Sequence, residues 1–410
     1  MISSEFWLYI FIGLILLNFI FSSVLEYVND KNWNDEIPDS LKDYYDRKKY
    51  STAKEYKKAR GRVSLISSSL SITITLIILI TGFYGYVSDY IYTTFSSPFL
   101  HSAIFFLFFY FLNMLVSIPI NYYSTFIIEE KFGFNKTTKK TFLADILKGT
   151  LMSILIGGLL LAVAILILNY FSEGFWFWLW LSLSIFTVFI SMFYTSLIVP
   201  IFNKLSPLED GSLKTKIQQY SDKIGYSLKN IFVIDGSKRS SKANAYFSGF
   251  GPKKTIALFD TLIEKHTEEE LVAVLAHEVG HYKKNHIKQG MILSIIQIAV
   301  MCFLFELCLQ LPEISAALGA EINAFHLGLI GFSFIFSPIG LITGIFMNIL
   351  SRKNEFEADE YAKKTYDGES LSLALKKLSV DSLTNLHPHP FYVFIHYSHP
   401  PLLERLKALS

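Results

Sequence analysis

The chain has 410 residues, of which 51% are hydrophobic and 18% charged, and a net charge of +2. Soluble domains carry about 25% charged residues, so this composition, with a mean hydropathy of +0.38, puts the chain in the membrane class. The small charge gives no sign of a nucleic-acid partner. The cysteines, Cys302 and Cys308, share one apolar run, which argues against a disulfide framework or a zinc ribbon.

A hydrocarbon core of about 30 Å takes about 20 mainly apolar residues as helix. Seven stretches qualify: 6–25, 63–87, 99–120, 146–171, 175–202, 290–311 and 325–350. The first lacks the positive start and small-residue cleavage site of a signal peptide, so it is expected to be retained. Lysine and arginine crowd the loop 26–62, recur at Lys131, Lys136, Lys139 and Lys140, and fill 203–289. The connections 88–98, 172–174 and 312–323 carry none. The positive-inside rule then predicts an outside N-terminus, with 203–289 and the tail from Ser351 on the cytosolic side. Residues 1–202 are expected to form a membrane domain with five spans. Residues 203–410 are expected to form a second unit that includes spans six and seven and the C-terminal segment. Polar residues within the spans, such as Ser68, Thr73, Asn113 and Ser184, fit either a wet chamber or helix–helix contacts.

Within 203–289, Thr267 followed by Glu270 reads as a capping box, with acidic residues in the first turn where the helix dipole favours them. Leu271, Val274, Leu275 and Val279 keep a helical period. On such a helix His277 and His281 project from one face, with Cβ atoms about 5–6 Å apart. Imidazoles so spaced reach one tetrahedral Zn²⁺ at about 2.0–2.1 Å. Glu278 then stands within reach of a water beside the metal without binding it. Gly280 costs about 1 kcal/mol against alanine in mid-helix, which makes sense where something approaches the backbone. The run of apolar residues before His281 is too short to span, so the site belongs at the membrane face.

A catalytic zinc takes three protein ligands. The stretch SRKNEFEADEYAKK, 351–364, follows the seventh span and reads as helical. Its Glu355 and Asp359 share a face. Glu355 is read as the third ligand and Asp359 as the carboxylate that orients a ligating histidine. Glu357 and Glu360 are expected in solvent. His286, nine residues after His277, falls on the opposite helix face and is left out. His101, His266, His326, His387, His389 and His396 receive no role.

HExxH with a downstream EFxAD glutamate resembles the gluzincin membrane proteases, and the whole chain resembles the type I CAAX prenyl proteases. EEKFGFNKTT (129–138), KANAYFSGFGPKKTIALFDTLI (242–263) and YSHPPLLERL (397–406) match that family's stretches in order. The resemblance implies a mainly α-helical polytopic membrane protein. Seven transmembrane helices would surround a water-filled chamber, joined to a small α+β zincin-like catalytic domain. It implies one Zn²⁺ per chain and cleavage near the C-terminus of a protein prenylated at a C-terminal Cys. NAYFSGF reads as a strand and TIALFDTLI as a second one. The resemblance gives Asn244, Ala245, Tyr246 and Phe247 the role of pairing with an extended substrate. Glu278 would act as general base, and His399 and Arg405 would be donors to the oxyanion.

The compact chain, without a C-terminal retrieval signal, is expected as a monomer in a bacterial inner membrane rather than the endoplasmic reticulum. Its substrate there would be another membrane-associated protein. Two rivals are a quality-control membrane protease of the heat-shock type and a non-catalytic scaffold with structural zinc. Seven spans and EEKFGFN disfavour the first. An intact Glu278 disfavours the second.

Overall fold

The computed structural model describes residues 3–225, 231–248 and 255–410. Ser3 opens α1 (Ser4–Lys31), its Oγ accepting from Phe6 N. The part of the first loop from Arg47 runs directly into the second span as one helix, α2 (Arg47–Ile80), capped by Asp46. The sequence reading extended that span to residue 87, but the chain breaks at Thr81–Gly82, where Gly82 has φ 66°. It restarts as α3 (Phe83–Thr94). The cause is a backbone contact. Gly85 N donates to Leu318 O at 2.8 Å, and a Cβ on Gly85 would sit 1.9 Å from the Gly319 carbonyl carbon.

Pro98 starts α4 (Pro98–Tyr123), which continues through a π-helical turn at Ser124–Glu129. Thr138 caps α5 (Lys139–Tyr170). The fifth span divides into α6 (Phe175–Leu197) and a short α7 (Val199–Phe202). Pro200 within it has no N–H to continue the ladder. Then come β1 (Leu205–Pro207), α8 (Ser212–Lys223), β2 (Ile231–Ile234), β3 (Ala245–Ser248) and β4 (Thr255–Phe259). The expected second strand stops at Phe259, because Asp260 begins α9 (Asp260–Lys265). Residues 249–254 of the predicted strand pair lie outside the described residues. The remaining elements are α10 (Glu268–Lys283), α11 (His286–Leu309), α12 (Pro312–Ala317), α13 (Phe325–Thr365), α14 (Gly368–Asp381), α15 (Pro390–His396) and α16 (Leu402–Leu409).

The sheet order is β1-β2-β4-β3, with β2 and β4 parallel and β3 antiparallel to β4. β3 is therefore an edge strand, and it touches both α10 and α6. Among the described residues, seven helical stretches are long and apolar enough to cross a membrane by length and composition. Exposed Leu115, Leu155 and Phe346 on them fit a lipid environment. The 41 residues of α13 span about 60 Å at 1.5 Å each. That is about twice the hydrocarbon thickness, so its last turns leave the span and pack along α10.

The lysine-rich pieces meet one another. Tyr45 Oη of the first loop donates to Ser379 O at 2.8 Å. The EEKFGFN stretch and the start of α5 join the membrane helices to the segment 239–241 before β3. Lys136 N donates to Arg239 O, Ser241 N donates to Phe134 O, and Arg239 forms a two-pronged pair with Asp145 at 2.7 Å on each prong. An apolar cavity of about 690 Å³ lies among α4, α5, α6, α11 and α13, walled by residues such as Phe106, Leu183, Met301 and Phe332. Ser68 and Thr73 donate to carbonyls one turn back on α2.

Candidate metal centre

The capping box at Thr267 and Glu270 forms as the sequence predicts, and it fixes where α10 starts. Leu271, Val272, Leu275 and Val279 are buried on its core face. Gly280 lies against α13. A Cβ there would meet Ala358 Cα at 3.1 Å, Ala358 O at 3.2 Å and Tyr361 Cβ at 3.2 Å. The missing side chain lets α13 come close enough to bring Glu355 to the histidines.

His277, His281 and Glu355 offer donor atoms that all lie within 4.8 Å of one another. The edges are short: His277 Nε2 to His281 Nε2 is 3.1 Å, His277 Nε2 to Glu355 Oε2 is 3.5 Å, and His281 Nε2 to Glu355 Oε1 is 3.2 Å. A tetrahedral Zn²⁺ with bonds of about 2.0–2.1 Å has ligand–ligand edges of about 3.3–3.4 Å. The three distances lie near that value, the two to Glu355 being made to different oxygens of its carboxylate. Glu355 Oε2 is buried without a hydrogen bond and has Arg405 Nη1 at 3.2 Å and His277 Nε2 at 3.5 Å, so the fit to a metal rests on the donor set of two imidazole nitrogens and a carboxylate converging on one point. The residues therefore fit a metal.

Asp359, one turn beyond Glu355, lies 2.8 Å from His277 Nδ1. Arg405 grips the same carboxylate, Nε to Oδ2 at 2.8 Å and Nη2 to Oδ1 at 2.6 Å, and its Nη1 lies 3.2 Å from Glu355 Oε2. Arg405 is 8% exposed. Its Nε and Nη2 face Asp359 and its Nη1 faces Glu355. His399 is different. Its side chain is 64% exposed and its Nε2 lies 3.4 Å from Glu355 Oε1, at the open side of the cluster. Glu278 is half-buried. Desolvation pushes its carboxyl above the usual carboxylate range, against the pull of His277 and His281.

The strand residues are distributed as expected. Asn244 is exposed just before β3, and its carbonyl accepts from Phe259 N at 3.0 Å. Ala245, Tyr246 and Phe247 pair with Leu258, Ala257 and Ile256.

Sequence reasoning missed four residues. His286 does not fall on the opposite face, because α10 ends at Lys283 and Asn285 turns the chain with φ 62°. Its Nδ1 lies 3.1 Å from His281 Nδ1. Glu357, expected in solvent, has Oε2 3.2 Å from His286 Nε2. Asn348 Nδ2 donates to Ile395 O at 2.7 Å and Arg352 donates to the carbonyls of Val393 and Tyr397, which holds the loop that carries His399. A signal for the last two existed: 348, 352, 355 and 359 repeat at helical spacing on one face of α13. His286 and Glu357 gave none, because their meeting depends on the Asn285 turn.

The CAAX prenyl protease N-terminal family model, described as five membrane helices, matches residues 26–204, and that of Peptidase family M48 matches 207–410. The chain is 31% identical to CAAX prenyl protease 1 of Saccharomyces cerevisiae, over 98% of this chain and 95% of the relative. It is 34% identical to the human CAAX prenyl protease 1 homolog, over 73% and 71%. The crystal structure of S. mikatae Ste24p superposes with a TM-score of 0.93 at 32% identity, covering 98% of this chain and 99% of that one. Fold and site together define a multi-pass integral membrane metalloprotease that acts on protein substrates. Within that class, the chain belongs to the CAAX prenyl protease family, and its peptidase part belongs to family M48.

Proposed function

We propose that this protein is a zinc endopeptidase that cuts near the C-terminus of membrane-associated proteins, prenylated CAAX proteins first among them. The observation that carries the reading is the set of ligand–ligand edges among His277, His281 and Glu355. Those three residues would hold one Zn²⁺ per chain, and Asp359 would fix the His277 tautomer. When bound, the metal supplies an acidified water and a Lewis-acid contact to the scissile carbonyl.

Glu278 takes a proton from the attacking water and passes it to the leaving amine as the C–N bond breaks. His399, exposed on the open side, donates to the oxyanion. Arg405 keeps Asp359 and Glu355 in place. Asn244 to Phe247 offer the free edge of β3 to an extended peptide.

The CAAX substrate is supported by the names of the yeast and human relatives. The placement of 203–410 as a peptidase domain, with 1–202 as a membrane domain, is favoured by family models that meet between 204 and 207. The lysine asymmetry favours a cytosolic catalytic side. The relatives named above are eukaryotic, which lends no support to the bacterial membrane expected from the chain's compactness.

The test uses purified protein in nanodiscs with a farnesylated CAAX peptide and its unprenylated twin. Wild type is expected to cleave the farnesylated peptide, and Glu278→Gln to retain zinc without cleaving. Cleavage of unprenylated, unfolded protein alone would favour the quality-control reading. Zinc bound with no cleavage of any peptide would favour the scaffold.

A further inference from the structure

The two ligating histidines are backed differently. His277 Nδ1 faces a carboxylate, Asp359, at 2.8 Å. His281 Nδ1 faces another imidazole, that of His286, at 3.1 Å. The rings of His281 and His286 meet edge to face, with centroids 5.1 Å apart at 74°. His286 is itself 7% exposed, and its Nε2 lies 3.2 Å from Glu357 Oε2 on α13.

Proton accounting gives this chain a direction. Of two ring nitrogens in contact, one must carry hydrogen and the other a lone pair. His281 Nε2 points to where His277 Nε2 and Glu355 converge. A ligand that binds through Nε2 must hold its hydrogen on Nδ1. His286 Nδ1 must then be the acceptor, so neutral His286 carries its hydrogen on Nε2. That N–H faces the Glu357 carboxylate. Every nitrogen and hydrogen is matched, with no donor left opposite a donor.

The left-handed turn at Asn285 makes this possible. An uninterrupted helix would put residues 281 and 286 about 140° apart around its axis. Asparagine tolerates the left-handed region better than most residues. It thus allows α11 to restart with its first side chain folded back over the site.

We propose that His286, anchored by Glu357, is the positioning residue for the second metal-ligating histidine. It sets the tautomer and ring plane of His281 as Asp359 sets those of His277. The inference rests on the zinc reading above. Groups that orient a metal-bound histidine typically contribute 10–100-fold in metal affinity.

The experiment measures zinc affinity of the full-length, detergent-solubilised protein by competition with a chelator, alongside kcat/KM on a CAAX peptide. Asparagine places Oδ1 where His286 has Nδ1, so His286→Asn keeps an acceptor for His281. His286→Leu fills the space without one. The expected result is a 10–100-fold loss of zinc affinity for His286→Leu and a loss of at most a few-fold for His286→Asn. Both should melt within a few degrees of each other. Equal zinc affinity in the two variants, or unchanged affinity in His286→Leu, overturns the proposal. His281→Ala and Glu355→Ala serve as controls. If they also leave zinc affinity unchanged, the metal-site reading fails with it. If they abolish binding while His286→Leu does not, only the role of His286 fails.

Discussion

Gly280→Ala sets a local preference against a tertiary contact. In an exposed helix the change stabilises by about 1 kcal/mol. Here the new Cβ lies 3.1–3.2 Å from three atoms of Ala358 and Tyr361, while relaxed carbon contacts sit at about 3.5–4.0 Å. All three atoms belong to α13, and Ala358 is fully buried, so no single side chain can swing away. The helix must retreat by about 0.4 Å, and Glu355 sits one turn before Ala358 on it. Overpacking of this kind costs about 1–3 kcal/mol. The balance is a net loss of about 1 kcal/mol, or a melting temperature lower by about 1–2 °C in a chain of this length. Zinc affinity should fall as the Glu355 edge lengthens. Thermal melting in detergent and chelator competition measure both. A variant that melts higher than wild type and keeps its zinc affinity would refute the claim that Gly280 sets the α10–α13 distance.

Arg405→Lys keeps the charge but loses the two-pronged grip on Asp359. Planar bidentate sites do not accept lysine as an equivalent, so kcat/KM should fall at least tenfold, with Arg405→Met lower still. Arg239→Met leaves Asp145 unpaired and loosens the EEKFGFN contact with the peptidase part. Limited proteolysis between 203 and 245 should accelerate while zinc affinity of the intact fraction is retained. Chelation should lower the melting temperature, and zinc re-addition should restore it in a concentration-dependent way, because a ligand held only by the folded state stabilises by mass action. A melting temperature indifferent to zinc would count against a site assembled from α10 and α13.

The HExxH helix was legible because its rules are local. A capping box, a dipole-matched first turn and an i,i+4 pair are all set within four residues along one helix. Glu355 and Asp359 were legible for the same reason, as one face of a helix that continues a span. The break at Gly82 was not, because the loop that forces it, 318–319, lies far along the chain. Arg405 was legible as a functional residue, but its partners were not. Its sequence neighbours say nothing of the two carboxylates on α13 that absorb its donors.

By itself the sequence determined that the chain has seven stretches able to span a membrane, and that one helix presents a histidine pair on one face with a glutamate beside it. Composition and periodicity act through solvent and the local backbone, so they can be read without a fold. Only the tertiary structure decided that α13 lies close enough to Gly280 to deliver Glu355, and that Arg405 faces inward to Asp359. It alone folded His286 back onto His281. Each of these depends on a distance between segments remote in the chain, fixed by packing and, at Asn285, by one residue's left-handed backbone.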